Sequence, residues 1–264
     1  MNSDLRLVFL GATRFSEAIL QHLLKCGFRP SILFTIPEDF SISYSQGKVH
    51  NYNYSDLRSI CEREEIPLRI VDSCDGGHKL SDYKDEIRAL RPDVILTMGW
   101  YYMVPRSIRE LARWGAWGIH ASLLPAYAGG APLVWAIIEG QEQTGVTLFR
   151  FDDGVDDGDI IAQRAFPIHK EDTIREVYRR ATTASKSLLV RALKALPNVT
   201  FCSQDKSKIK VYPQRKPQDG EIDLKWDADR MYNFIRAQSS PYPGAFIRTA
   251  EGRKLIIEKA RVVP

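Results

Sequence analysis

The sequence predicts an α/β protein: a Rossmann-like, mostly parallel sheet followed by a small C-terminal β-rich subdomain. Three observations carry this. Compact apolar runs at 5–10, 31–36 and 93–98 alternate with stretches whose apolar residues recur at helical spacing, as in a parallel sheet covered on both faces. A long capped helix then closes that part near Leu196-Pro197, so one domain is expected over 1–197 and a second over 198–264. The last stretch is broken by proline and ends in period-2 segments around Gly252.

In order along the chain, residues 5–10 form a strand ending at Gly11, and Phe15, Ile19, Leu20, Leu23 and Leu24 mark one face of the next helix. The turn at Gly11 sits where a dinucleotide fold carries its glycine fingerprint, but the later glycines are missing, which argues against a nicotinamide cofactor. After the strand 31–36, residues 38–54 are polar, without period, and carry Tyr44, Tyr52 and Tyr54. They read as a surface loop, or as an aromatic platform for a nucleotide base. Ser55 is expected to cap a helix through Glu65, with a strand at 67–71 and a helix at 79–90.

The strand 93–98 runs into Trp100, Tyr102, Met103 and Val104. Ligands of open α/β sheets sit past the carboxyl ends of strands, so these side chains either line a pocket for a flat heterocycle or plug the gap between strand and helix. A short helix at 108–111 precedes the strand 117–120, and Pro132 opens a helix over 131–139. Gly129 and Gly130, just before it, let the backbone approach a ligand and leave amides for an anion. Strands at 147–151 and 160–168 follow, and Thr173-Ile174-Arg175-Glu176 is a capping box opening the long helix. The tail holds a helix at 228–237 and strands at 245–249 and 254–262.

The net charge of +4 is spread without a long basic run, which argues against a dedicated nucleic-acid surface; the cluster 206–216 reads as a solvated connector. No stretch approaches the ~18 apolar residues of a membrane span, and the first residues lack the pattern of a signal peptide, so a cytoplasmic protein is expected. Cys26, Cys61, Cys74 and Cys202 lie far apart, which indicates neither zinc nor a disulfide framework; no metal is expected.

The chemistry concentrates in 118–159. His120 stands at a strand exit, and Asp152, Asp153, Asp156, Asp157 and Asp159 share one loop with Gly154, Val155 and Gly158. Imidazole titrates near neutrality and a neighbouring carboxylate fixes its tautomer, so the pair points to acid–base work. A satisfied strand-end histidine beside a solvated acidic turn is the plain alternative.

Residues 118–163 resemble the signature region of the 10-formyltetrahydrofolate-dependent formyltransferases: Asn-x-His-x-Ser-Leu-Leu-Pro, a glycine-containing run, a helix, Thr-Gly-Val-Thr and Leu-Asp-x-Gly-Asp. The layout is nearest the sugar N-formyltransferases and related to methionyl-tRNA formyltransferase. The resemblance implies the formyltransferase fold, 10-formyltetrahydrofolate as formyl donor, and His120 with Asp156 as catalytic residues. It implies a folate site from Trp100, Tyr102, Met103, Val104, Asp152, Asp153, Gly154, Val155 and Asp156, and a substrate site from Ser122, Leu123, Leu124, Gly129 and Gly130.

It further implies a nucleotide-linked amino sugar as acceptor, a homodimer, and a place in surface polysaccharide (O-antigen) synthesis. The alternatives are a methionyl-tRNA acceptor, disfavoured because those enzymes carry a longer, basic C-terminal domain, hydrolysis of the donor by water, and a binding protein with weakened catalysis. The family asparagine falls on Gly118, and arginines frequent in the family fall on Ala128 and Gly130. Loss of one oxyanion donor costs about 10²–10³ in rate, so His120 as imidazolium, a backbone amide or Ser122 is expected to replace the missing amide.

Overall fold

The computed structural model describes residues 5–42, 47–72 and 77–263; Tyr44 and Cys74 lie outside them. The chain runs β1 (Leu7–Leu10), α1 (Arg14–Lys25), β2 (Pro30–Thr35), β3 (Asp39–Ser41), β4 (Lys48–His50), α2 (Arg58–Arg63), β5 (Leu68–Ile70), α3 (Lys84–Leu90), β6 (Val94–Thr97) and α4 (Arg106–Arg109). It continues through β7 (Ala116–His120), β8 (Ala128–Gly129), α5 (Pro132–Ile138), β9 (Gln143–Arg150), β10 (Ile160–Pro167) and α6 (Ile174–Ala195). β11 (Val211–Tyr212), α7 (Ala228–Ala237), β12 (Ala245–Arg248) and β13 (Lys254–Ile257) complete it.

Seven strands form the central sheet in the order β10-β9-β7-β6-β1-β2-β5. The five from β5 to β7 are parallel, whereas β9 and β10 are antiparallel to their neighbours. Alternation along each strand sorts the core onto two faces. Leu7, Phe9, Leu33, Leu96 and Trp117 join α1, α2, α5 and α6 on one face. Val8, Leu10, Phe34, Ile95 and Ala116 pack with Ile87 of α3 and Ile108 of α4 on the other.

The turn after β1 uses its own amides. Gly11 N bonds Phe34 O, Arg14 N bonds Asn53 O, and Ala12 N and Thr13 N both donate to Ser16 Oγ. Thr13 and Ser16 thus form a capping box. Every amide from Gly11 to Arg14 is engaged within the chain, unlike the open phosphate cradle of a dinucleotide turn.

Local differences from the sequence reading have local causes. Within 38–54, expected to lack regular structure, β3 and β4 pair as a short antiparallel ladder. Ser55 does not cap α2: its hydroxyl donates to Glu17 Oε2 at 2.5 Å, and the helix starts three residues later behind Leu57 with no side-chain cap. The 79–90 helix is a 3₁₀ turn, Leu80–Tyr83, before α3. The capping box at Thr173 opens α6 as expected.

The C-terminal part has its own small core of Ile222, Phe234, Ile235 and Ala245, with Trp226 alongside. β12 and β13 form a hairpin whose second strand ends at Ile257, short of the expected 262. Arg215 joins this unit to α5, with its guanidinium 4.8 Å from the Trp135 ring centre and 5.3 Å from that of Phe234. Cys26, Cys61 and Cys202 are free thiols. Among the described residues no helix is long and apolar enough to cross a membrane.

Candidate active site

β7 decides where the histidine goes. Trp117 is fully buried and Ile119 packs on the α1/α6 face, so Gly118 and His120 point to the opposite face, where Phe151 and the 99–105 segment lie. His120 is the last residue of the strand and pairs in register with Thr147 of β9.

The structure brings His120 and Asp156 together: Nδ1 is 3.3 Å from Asp156 Oδ2, with 9% and 21% of the side chains exposed. His120 Nε2 lies 2.7 Å from the carbonyl oxygen of Tyr127. The Tyr127 carbonyl is an acceptor, so Nε2 carries the hydrogen of that bond, while Nδ1 and the Asp156 carboxylate stand in ion-pair contact. Asp156 Oδ2 also accepts from Gly129 N at 2.8 Å. Tyr127 and Asp156 both have positive φ, 55° and 51°. Such strain persists only where surrounding contacts over-determine the backbone.

The Ser122-Leu123-Leu124 run is fastened inside the protein. Ser122 Oγ is buried and donates to Ala126 O at 2.6 Å, while Thr147 Oγ1 donates to Ser122 O at 2.7 Å and accepts from Leu124 N at 3.0 Å. The Ser122 hydroxyl hydrogen, a possible stand-in for the missing amide, is therefore spent on a backbone carbonyl. Leu124 is buried with Ala128 and Phe149.

Gly118 has a partner the sequence did not announce. A Cβ at this position would lie 2.1 Å from Phe151 Cε1 and 2.7 Å from Cζ, so the Phe151 ring fills the space a side chain would use. The ring belongs to the cluster that includes Trp100 and Tyr102.

Gly129 and Gly130 do a different task from the ligand approach expected of them. A Cβ on Gly129 would meet Tyr212 O at 2.5 Å, and one on Gly130 would meet Gln214 Cα at 2.4 Å. β11 crosses here, pairing with β8, and Gly130 N donates to Tyr212 O at 2.8 Å. The glycines admit the returning chain, and both amides are taken.

In the 99–105 segment, Trp100 and Tyr102 are half-buried and Val104 is buried, whereas Met103 is 80% exposed. Tyr102 stands edge-on to Phe40 at 5.6 Å and to Trp100 at 5.9 Å. Trp100 Nε1 is buried without a hydrogen-bond partner.

The acidic loop is largely neutralised. Asp153 pairs with Arg109 and lies 3.8 Å from Arg106, while Lys206 Nζ reaches Asp157 at 2.8 Å and Asp152 at 3.6 Å. The Asp153 amide, ahead of Lys206, holds the Asp152 carboxyl below its ordinary range. Asp152, Asp153, Gly154 and Val155 are exposed. A cleft of about 540 Å³ separates this loop from α4, lined by Arg106, Arg109, Ala116, Phe151, Asp152 and Asp153 among others. Of the residues expected around a folate, Asp152 and Asp153 line this cleft, while Trp100, Tyr102, Met103, Val104, Gly154, Val155 and Asp156 do not, and neither does His120.

Three contributors escaped the sequence reading: the Phe151 ring, the Tyr127 carbonyl and Gln204, whose amide binds the carbonyls of Asp156 and Gly158. A carbonyl has no residue signature, and a lone glutamine in a polar connector has no period or spacing to mark it.

Residues 5–193 match the formyl transferase domain, and 214–264 match the formyl transferase C-terminal domain. Among solved structures, a Mycobacterium tuberculosis protein of uncharacterised activity, described as a sugar N-formyltransferase, aligns at 20% identity and TM-score 0.69 over 98% of this chain and 100% of its own. An N-formyltransferase from Helicobacter canadensis, in complex with folinic acid and dTDP-3-aminofucose, aligns at 21% identity and TM-score 0.65 over 88% of this chain and 80% of its own. Methionyl-tRNA formyltransferase from Clostridium thermocellum aligns at 19% identity and TM-score 0.62 over 93% of this chain and 88% of its own. With the sheet order, the histidine at the end of β7 and the acidic loop folded back onto it, these matches lead to one conclusion: the chain belongs to the formyl transferase family.

Proposed function

We propose that this protein transfers a formyl group from 10-formyltetrahydrofolate to the primary amine of a nucleotide-linked amino sugar, of the kind built into surface polysaccharides such as O-antigen. The single observation that carries the reading is the contact of His120 with Asp156 at the exit of β7, in a chain of this family. The amino-sugar acceptor is supported by the fold shared with the Helicobacter canadensis enzyme. A cytoplasmic homodimer is the form in which we expect it to work.

In this reading the donor supplies the formyl carbon, and His120 and Asp156 handle the protons. His120 takes the proton that the attacking amine loses and gives it to the folate nitrogen as the bond from that nitrogen to the formyl carbon breaks, passing through the imidazolium form. The ring's contact to Asp156 at 3.3 Å is the longer of its two, hence the one a substrate oxygen can share. The imidazolium then supplies the charge-stabilising hydrogen that no side chain at Gly118 provides. Asp156 orients the ring and supports its charged form.

The test is release of the folate product by wild type and His120→Asn, with and without nucleotide-linked 3-amino and 4-amino sugars. Transfer should need the amino sugar and fall by about 10²–10⁴ in the variant; equal background rates in both proteins would end the enzyme reading. A true acceptor at 100 times its dissociation constant should also add roughly 2.7 kcal/mol of stability. Steeply salt-dependent RNA binding instead would favour a tRNA acceptor.

A further inference from the structure

We infer that Gln204, in the connector between the two matched segments, is a positioning residue that sets Asp156 against His120, so that the site is complete only with the connector in place. The inference rests on reading His120 and Asp156 as the working pair. Residues 194–213 belong to neither matched segment, and by composition the neighbouring 206–216 cluster reads as solvated surface.

The geometry gives the connector another role. Gln204 is 9% exposed, and its Nε2 donates to Asp156 O at 2.8 Å and to Gly158 O at 2.7 Å. Both amide hydrogens are thus used on the loop that carries the carboxylate, at the residue whose φ of 51° needs outside support. Its Oε1 is buried without a partner, so the side chain is oriented by its donors. The backbone beside Gln204 is itself anchored, since Cys202 and Ile160 exchange two backbone hydrogen bonds of 2.8 Å.

Downstream the same connector reaches the other side of the pair. Lys206 holds Asp157, and Tyr212 O receives Gly130 N, next to the Gly129 amide that donates to Asp156 Oδ2. One segment therefore braces Asp156 through its carbonyl and also braces the strand that grips its carboxylate. A residue lacking two N–H donors cannot hold both loop carbonyls. Glutamate keeps the size but loses the donors.

The experiment compares the full chain with Gln204→Glu and Gln204→Ala, using Asp156→Asn as the reference for a broken pair. With ¹⁵N-labelled histidine, wild type should show a protected downfield Nδ1–H resonance, distinct from the Nε2–H that the Tyr127 carbonyl accepts, that is absent in His120→Asn and in Asp156→Asn. Both Gln204 variants should lose it. Their kcat should fall by about 10- to 100-fold, the scale expected for a small misplacement, with KM for 10-formyltetrahydrofolate changed less. Should the alanine variant fail to fold, the near-isosteric glutamate variant carries the test.

A glutamine that served stability alone would lower the melting temperature yet leave the resonance in the folded protein. That result, or the absence of the resonance in wild type, overturns the inference. Loss of the resonance in a protein that transfers no formyl group would uphold the positioning role while removing the proposed reaction.

Discussion

His120 and Asp156 meet in one site but are held by different means. His120 ends β7, a strand buried on both faces and hydrogen-bonded to β6 and β9, so sheet pairing fixes its position. Asp156 sits in an exposed, charged turn that no ladder holds, and its place depends on side chains from α4 and the connector: Arg109, Gln204 and Lys206. The first half should fail only with the fold. The second should fail one contact at a time.

The largest break is expected on the strand side. Gly118→Asn restores the family side chain but drives it into the Phe151 ring, where even a Cβ would come within 2.1 Å. Overpacking of this kind costs about 1–3 kcal/mol in urea unfolding. In a Phe151→Ala background the same substitution should cost far less, so the two changes couple in a double-mutant cycle. Independent, additive effects would mean that the ring does not stand in for the missing side chain.

A smaller effect of opposite sign is expected at Trp100, whose buried indole N–H has no partner. Trp100→Phe keeps an aromatic ring and removes the orphan donor, which should raise stability by up to about 1 kcal/mol. A lower melting temperature would show that the nitrogen finds a partner in solution.

The smallest change should sharpen the comparison without unfolding the protein. Asp152 has a folded pKa below its ordinary value, held there by the Asp153 amide and then by Lys206. A depressed carboxylate contributes above its unfolded pKa, roughly 3.9, and that contribution is lost as pH falls through the folded value. Below about pH 4, amides of 152–159 should therefore lose protection relative to their intrinsic exchange rates while 116–120 stays protected. Lys206→Ala should loosen the same loop at neutral pH, leaving β7 unchanged. Equal loosening of both segments would erase the distinction between them.

Much of this molecule was legible in the chain itself. The apolar runs that became β1, β2 and β6, the capping box before α6 and the strand ending at His120 are local patterns, set by side-chain alternation and by hydrogen bonds within a few residues. The acidic loop and the family signature also pointed to His120 and Asp156. Short elements read less well: α2 starts later than Ser55 suggests because that hydroxyl is drawn to Glu17 on another helix.

What the sequence alone determined is where the long strands and helices run and which residue types are available for proton chemistry. The tertiary structure decided how the small residues and the connector are used. A glycine in a sequence does not say whether it makes room for a ligand, for a ring or for another length of backbone. Here Gly118 makes room for Phe151, Gly129 for β11 and Gly130 for Gln214 just beyond it. Gln204, just ahead of the 206–216 cluster that reads as solvated connector, carries no mark in the sequence, and its amide is buried against Asp156 only once the chain returns. The physical reason is the same in each case: the contact joins segments far apart along the chain, and no local period or spacing encodes a neighbour that arrives only on folding.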